Sequence, residues 1–270
     1  MAAALLAAVW AVLFFALVDL SILFMWNDYF AEVVPLDVSW GAFFTFFMVV
    51  PLVVVAVQPR RYGEAVLLAS VTTVALIVGA VLSGDARPLW LAGAAAVSSG
   101  VLILLGIAGT RRAGIPPTVP HIRVSWPMAV LAVAGVPLWW PYIAHAASAQ
   151  GVLPGDDSLG IDHWPVQAAA GVAVMLAAFL AAALVEVRVL ATVAAAVSAS
   201  AIGVSMVADA ETLVETETQL WSVLTVMWGT LVALALAAAT RTPRRAGAAE
   251  ARATARRSAH PAAPDGRMSM

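Results

Sequence analysis

One acidic side chain lies inside an apolar segment that is long enough to cross a membrane. Asp19 falls within residues 4–26, and its neighbours at helical spacing, such as Phe15 and Leu23, are apolar. A partner for its carboxyl group must therefore come from another helix. An acid at membrane depth costs about 2.5–3.5 kcal/mol on insertion scales and commonly marks an ion or proton pathway. The alternative is a protonated Asp19 that only links helices by a hydrogen bond.

Five further polar side chains fall at a similar predicted depth in other apolar segments. They are Thr45, His145, Gln167, Ser205 and Thr225. Together with Asp19 they predict a polar belt in the outer third of a helix bundle. Such a belt favours a proton or cation site, or a vestibule that leads to one.

A second group of candidate ligands lies between residues 155 and 164. Asp156, Asp157, Asp162 and His163 supply oxygen and imidazole groups that suit a hard or borderline metal ion. Their spacing matches neither an EF-hand nor an HExxH motif. A solvated acidic loop is the simpler interpretation, so that the sequence leaves metal binding open and identifies no cofactor.

Composition indicates the fold class that must position these residues. The chain is 63% hydrophobic and only 11% charged, which is typical of a protein surrounded by lipid. A spanning helix needs about 20 apolar residues. Eight segments qualify: 4–26, 40–58, 63–83, 88–109, 126–147, 164–185, 187–208 and 219–240. The sequence therefore predicts an all-α, polytopic membrane helix bundle of eight spans over residues 1–240.

The arginines predict the orientation of that bundle. The chain contains no lysine, and thirteen of its fourteen arginines lie in alternate connections or in the C-terminal segment, Arg87 being the exception. By the positive-inside rule this side is cytoplasmic, which places both termini inside the cell and makes the protein a multi-pass protein of the plasma membrane. The arginine, alanine and valine content is typical of high-GC genomes such as those of actinobacteria.

Two features concern the organisation of the chain. Matched residues, such as Gly79 with Gly203 and Asp85 with Asp209, suggest two parallel four-helix repeats over residues 1–112 and 124–240. Chance similarity in an apolar sequence is the alternative. Residues 241–270 are small, polar and basic, which predicts a disordered cytoplasmic tail able to contact anionic lipid. Nothing in the sequence indicates nucleic-acid binding.

The fifth segment has an irregular composition. Pro137 and Pro141 flank Leu138-Trp139-Trp140, and a proline inside a helix removes a backbone donor and clashes with the preceding turn. We therefore expect a kink or break in this span. Irregular backbone at membrane depth has to be buried or has to line a cavity.

The sequence lacks the motifs of several classes of enzyme. The absence of cysteine excludes disulfides and thiolate chemistry, and neither GxSxG nor a Walker A sequence occurs. Asn27-Asp28-Tyr29, Gln58 to Tyr62 and Trp140 to His145 resemble the A-type subunit of copper membrane monooxygenases over the first six spans. This resemblance implies a copper-dependent membrane enzyme, although the chain has two extra spans and no clustered histidines.

Three functions follow from these observations. A transporter or permeation role is favoured by Asp19, the irregular fifth segment and the suggested repeat. A non-catalytic subunit of a larger membrane complex, with membrane-protein partners, is the second interpretation, and the membrane enzyme is the third. A wet cavity at Asp19 would favour the first function, and dry packing of Asp19 would favour the second.

Overall fold

The computed structural model is an all-α membrane helix bundle, as the sequence predicts. It describes residues 1–24, 34–113, 121–149, 151, 157–208 and 216–258. Seven of its helices are long and apolar enough to cross a membrane, and the number is eight when a bent pair of shorter helices at the N-terminus is counted as one span. The protein is therefore a multi-pass membrane protein that contacts the lipid bilayer.

The elements follow one another as ten helices and one small hairpin within the described residues. They are α1 (Ala2–Ala8, continued by a π-helical turn at Val9–Leu13), α2 (Ala16–Ile22), α3 (Val34–Phe44, continued by a π-helical turn at Thr45–Val49), α4 (Val50–Val57), α5 (Tyr62–Ser83), α6 (Pro88–Ala113), α7 (Trp126–Ser148), β1 (Asp157–Ser158), β2 (Ile161–Asp162), α8 (His163–Ala183), α9 (Arg188–Ala208) and α10 (Thr216–Ser258). A 3₁₀ turn at Pro59–Arg61 joins α4 to α5.

Span 1, formed by α1 and α2, is broken, which the sequence did not predict. The two pieces meet at an angle of 46°, and Phe15 at the break has a left-handed backbone with φ of 59°. The indole nitrogen of Trp40 donates to the carbonyl oxygen of Phe14 at 3.0 Å. A carbonyl that the break releases from the helix is thereby satisfied within the protein.

Span 2, formed by α3 and α4, begins earlier than residue 40, where the sequence predicted its start. The helix begins at Val34, with Pro35 in its first turn, where the missing N–H of proline is no loss. Asp37, which the charge pattern assigned to an outer loop, is therefore a buried residue of the helix.

The fifth span is α7, where the sequence predicted a kink or a break; the break was wrong, and the kink stays a prediction. The helix is continuous from Trp126 to Ser148 and contains both Pro137 and Pro141. Both proline residues are exposed at the surface of the bundle, so that their rings do not disturb the packed face.

The centre of the bundle consists of span 2 and α8, which are among its most buried spans, whereas α10 is the least buried. Alanines occupy most of the buried face of α8, including Ala168, Ala169, Ala173 and Ala177. Small side chains let neighbouring helices approach closely, which is how packing stabilises helices in a membrane.

The C-terminal helix differs from the sequence-based expectation. α10 continues past residue 240 and ends at Ser258. Alanine and arginine, which are strong helix formers, dominate this extension and explain its helical backbone. The disorder predicted for the rest of the tail concerns residues 259–270, which lie outside the described part of the chain.

Candidate functional site

Two carboxyl groups and one imidazole meet inside the bundle. Asp19 comes from α2, Asp37 from the first turn of α3 and His163 from the start of α8, and all three are buried. The His163 Nδ1 lies 3.5 Å from the Asp37 Oδ1, and Asp19 interacts electrostatically with both residues. We call these three residues the acid–imidazole cluster.

A glycine allows α2 to approach the cluster. A Cβ atom at Gly41 of α3 would lie only 2.7 Å from the Cα of Leu20 and 2.8 Å from the carbonyl carbon of Asp19. These are backbone atoms, which cannot rotate away as a flexible side chain could. Gly41 therefore permits the helix contact that brings Asp19 next to Asp37 and His163.

One oxygen of Asp19 lacks a partner. Its Oδ2 is fully buried and accepts no hydrogen bond from any residue that the structure describes. A buried polar atom without a hydrogen bond costs about 1–3 kcal/mol. Such an atom in a native structure requires an explanation, for example a catalytic role or a bound water or ion.

A layer of neutral polar groups surrounds the cluster. The Tyr142 hydroxyl lies 3.1 Å from the Ser39 Oγ, which itself donates to the Pro35 carbonyl oxygen at 2.5 Å. The Gln167 side chain also interacts with the Tyr142 hydroxyl. Because Gln167 follows His163 by one helical turn, both side chains lie on the same face of α8.

An aromatic ring also packs against the imidazole. The Trp40 ring lies 5.0 Å from the His163 ring, measured between centroids. The same tryptophan donates to the Phe14 carbonyl oxygen at the break in span 1. Trp40 therefore joins the broken helix to the cluster.

The predicted polar belt contributes two of its six residues to this region, Asp19 and Gln167. Thr45 is buried one turn after Gly41, and its hydroxyl has no hydrogen-bond partner among the described residues. His145 is exposed, and its ring lies against Trp164 with 5.7 Å between the centroids.

The remaining two belt residues lie on α9 and α10. Ser205 is buried and donates to the Ile202 carbonyl oxygen at 2.8 Å, within its own helix. Thr225 is buried on α10, and its hydroxyl has no partner within the described residues. Neither residue is among the charged or hydrogen-bonding partners of Asp19.

The candidate metal ligands are divided between different roles. Asp162 caps α8, because its carboxylate accepts from the Trp164 backbone N–H at 3.0 Å and from the Gly151 N–H at 2.7 Å. His163 belongs to the acid–imidazole cluster. Asp156 and the side chain of Asp157 lie outside the described residues.

Within the described residues, no group of three or more histidine, cysteine, aspartate or glutamate side chains is arranged to hold a metal ion. The copper centre implied by the resemblance to monooxygenase A-type subunits therefore does not fit this part of the chain. Of the segments that carry that resemblance, Asn27-Asp28-Tyr29 also lies outside the described residues.

An acid outside the membrane-spanning segments provides a contrast with Asp19. Asp85, in the connection between α5 and α6, accepts from the Arg87 backbone N–H at 2.9 Å and from its guanidinium at 2.8 Å. Burial opposes ionisation of Asp85, but these hydrogen bonds outweigh burial and hold its pKa below the ordinary value of 3.8. Asp85 is thus a satisfied ion-pair partner, whereas one oxygen of Asp19 is not satisfied.

Asp37 and Gly41 are among the residues of this site that the sequence did not single out, as are Ser39 and Trp40. A proline two residues before Asp37 signals a helix start, and it was the available indication that Asp37 belongs to a helix. Gly41 carried no such signal, because close approach of two helices is a property of their packing.

Comparison with known proteins assigns no family. The chain matches no family model, no curated protein and no solved structure. The functional argument therefore rests on the geometry of the acid–imidazole cluster.

Proposed function

We propose that this protein moves protons across the membrane as part of a transport cycle, with Asp19 as the group that takes up and releases the proton. The observation that carries this proposal is the burial of Asp19 beside Asp37 and His163, with one carboxyl oxygen unpartnered among the described residues. A role confined to helix packing would leave that oxygen unexplained.

The residue types of the cluster suit proton exchange. Carboxyl and imidazole groups can both bind and release protons near neutral pH when their surroundings shift their pKa values. Groups this close titrate as a unit, since protonation of one changes the affinity of the others. A change in the surroundings of one residue therefore alters the proton affinity of the whole cluster.

The break in span 1 supplies an element that can move. Discontinuous helices commonly form the sites of membrane transporters, because the short pieces can shift relative to the bundle. Asp19 lies on α2, the short piece after the break, whereas Asp37 and His163 lie on the central helices. Movement of α2 would change the distance between Asp19 and the other two groups.

Dry packing favours a second candidate function, that of a subunit in a larger membrane complex. Asp19 is only 6% exposed, as dry packing between helices would require. An apolar groove of about 190 Å³ between α7 and α8 offers a surface for another apolar helix. In that case Asp19 would only join helices within the bundle.

Proton movement in liposomes tests the first proposal. Purified protein is reconstituted with a pH-sensitive dye inside the vesicles, and an external pH step is applied. We expect the wild type to equilibrate the pH, and Asp19→Asn to slow this by about a hundredfold, the lower range for loss of a positioned proton-transfer group.

Ser99→Ala is the matched control, because Ser99 is buried on α6 and its hydroxyl donates to the Ala95 carbonyl oxygen within its own helix. It should equilibrate the pH as fast as the wild type. Equal rates in Asp19→Asn and the wild type would exclude Asp19 as the proton carrier. No proton movement in the wild type would favour the complex subunit.

We also propose that the cluster lies toward the outer face of the plasma membrane, because the arginine distribution places the opposite ends of these spans inside. Single cysteines in this cysteine-free chain test the orientation. Ala86→Cys should react with an impermeant reagent added to intact cells, and Gln58→Cys should react only after lysis. The reverse pattern would show that the bundle is inverted.

A further inference from the structure

A chain of hydrogen bonds links three spans beside the acid–imidazole cluster. The Tyr142 hydroxyl of α7 lies 3.1 Å from the Ser39 Oγ of α3, and it also forms a hydrogen bond with the Gln167 side chain of α8. The Ser39 Oγ donates to the Pro35 carbonyl oxygen at 2.5 Å. Ser39, Tyr142 and Gln167 are all buried. These groups therefore form one polar chain in the apolar interior of the bundle.

The direction of the chain follows from its hydrogen atoms. A carbonyl oxygen can only accept, so that the one hydroxyl hydrogen of Ser39 is donated to Pro35. The Tyr142 hydroxyl must then donate to Ser39. The Tyr142 oxygen accepts from the amide nitrogen of Gln167, because the Gln167 Oε1 has no partner among the described residues. The chain thus runs from Gln167 through Tyr142 and Ser39 to the Pro35 carbonyl.

The two ends of the chain indicate what it can do. One end is a side-chain amide and the other is a peptide carbonyl, and neither group takes up or releases a proton near neutral pH. A chain that ends in these groups cannot conduct protons. It can hold its three helices at a fixed spacing.

The packing of Tyr142 supports this role. Its ring lies parallel to the Trp221 ring of α10, with an angle of 3° and 4.8 Å between the centroids. On the side of α8, a Cβ atom at Gly171 would lie 3.1 Å from the Tyr142 Cδ1 and 2.6 Å from the Ile143 Cγ1. The glycine therefore lets α7 approach α8 closely, one turn after Gln167. A ring confined in this way keeps its hydroxyl in one place.

The chain and the acid–imidazole cluster join the same two helices, α3 and α8. The His163 Nδ1 lies 3.5 Å from the Asp37 Oδ1 across this helix interface. The chain crosses the same interface through Tyr142, within about one turn on each helix. A shift of α8 against α3 would therefore change both contacts. Asp37 and His163 act electrostatically on Asp19, so that such a shift would also change the proton affinity of Asp19.

We propose that Tyr142 is a positioning residue for proton exchange at Asp19. Its hydrogen bonds to Ser39 and Gln167 hold α3 and α8 at the spacing that places His163 beside Asp37. Tyr142 does not carry the proton itself. This role rests on the proposed function of Asp19 as the proton carrier.

Removal of the hydroxyl tests this role. Tyr142→Phe keeps the ring that stacks on Trp221 and loses both hydrogen bonds. In liposomes with an internal pH-sensitive dye, proton movement should slow by about tenfold, as expected for a displaced reacting group. The pH of the half-maximal rate should shift by about half a unit or more. Equal pH dependence in Tyr142→Phe and the wild type would overturn the proposal, because a purely structural role lowers the amount of folded protein without changing the titration of Asp19.

Ser39→Ala is a second variant, which decides the question if Tyr142→Phe fails to fold. It should reproduce both changes, and the double variant should be no slower than either single variant, because all three interrupt one chain. Losses that multiply in the double variant would show that the two hydroxyls act separately. Ser99→Ala is the matched control, since Ser99 also donates to the carbonyl four residues earlier but lies on α6, outside the chain. It should keep the rate and the pH dependence of the wild type.

Infrared spectroscopy of the C=O band of Asp19 distinguishes failure of this inference from failure of the proposed function. The band is identified by its loss in Asp19→Asn and is titrated without any transport. A titration midpoint that moves in Tyr142→Phe but not in Ser99→Ala supports the positioning role, even if the wild type moves no protons. Proton movement that depends on Asp19, with an unchanged midpoint in Tyr142→Phe, overturns the positioning role alone. An Asp19 band that does not titrate in the wild type overturns both.

Discussion

Span 1 and α7 show that proline content does not decide which helix breaks in this protein. Span 1 contains no proline and is bent by 46° at Phe14 and Phe15, whereas α7 contains Pro137 and Pro141 and is continuous. The difference teaches that contacts with neighbouring helices, and not local sequence alone, determine the backbone in each span.

Indole groups bind the backbone of both spans, but they serve different purposes. At the break in span 1, Trp40 donates to the Phe14 carbonyl oxygen, which lies outside any regular helix. Along α7, Trp221 donates to the Leu138 carbonyl oxygen at 2.7 Å, within a continuous helix. The first contact replaces a helix hydrogen bond, and the second adds to one.

The two spans also deliver different residues to the centre. The short helix α2 carries Asp19 against Gly41, and the continuous helix α7 carries Tyr142 to Ser39. One polar group of the site thus lies on a short helix after a break, and another lies on a long continuous helix. The proposed proton cycle depends on this contrast.

The duplication, in which span 1 corresponds to α7, stays a prediction, and the helix neighbours of its two halves can be compared. In the first half, α5 packs against α6 and also against α8 of the second half. In the second half, α9 packs against α10 and also against α3 of the first half. The third span of each half therefore contacts the second span of the other half.

The largest effect should come from closing the space between α2 and α3. Gly41→Ala places a methyl group within 2.8 Å of backbone atoms, and we expect it to destabilise the protein by about 3 kcal/mol or more, the upper range for overpacking. Unfolding in mixed micelles measures this change. Gly93→Ala on α6, where an added Cβ meets nothing within 4 Å, should be close to neutral. Equal stability of both variants would show that α2 does not lie against α3 as described.

The second-largest effect should come from loss of the two indole hydrogen bonds, and it should differ between them. Trp40→Phe leaves the Phe14 carbonyl without its donor, and it should destabilise the protein by about 1–3 kcal/mol beyond the loss of ring volume. Trp139→Phe measures that volume effect, because the buried Trp139 indole nitrogen has no partner among the described residues. Trp221→Phe should also destabilise the protein more than Trp139→Phe does. This difference in the free energy of unfolding should be smaller than the difference between Trp40→Phe and Trp139→Phe. A larger loss for Trp221→Phe would reverse our comparison of the two spans.

The smallest effect should come from the prolines of α7. Pro137→Ala restores a backbone N–H in a helix that is already continuous, and the exposed residue leaves no cavity. We expect a change of less than about 1 kcal/mol in the free energy of unfolding. A destabilisation of several kcal/mol would show that the proline imposes a bend on which the packing of α7 depends.

Much of the bundle could be predicted from the sequence, because lipid requires long apolar helices and leaves little choice of fold. Asp19 could be identified for the same reason, since an acid in such a helix stands out. Its partners could not be identified, because Asp37 and His163 lie in first helical turns that border polar connections. The break at Phe15 carries no glycine or proline, and Gly41 matters only through the helix that packs on it.

The central claim is that Asp19 exchanges a proton within the acid–imidazole cluster, and infrared difference spectroscopy tests it most directly. The protein in detergent or liposomes is titrated while the C=O band of protonated carboxyl groups is recorded. Our account predicts a band from a buried carboxyl group that disappears as the pH rises, is missing in Asp19→Asn and shifts in Asp37→Asn and His163→Gln. An identical titrating band in Asp19→Asn, or no titrating band in the wild type, would contradict it.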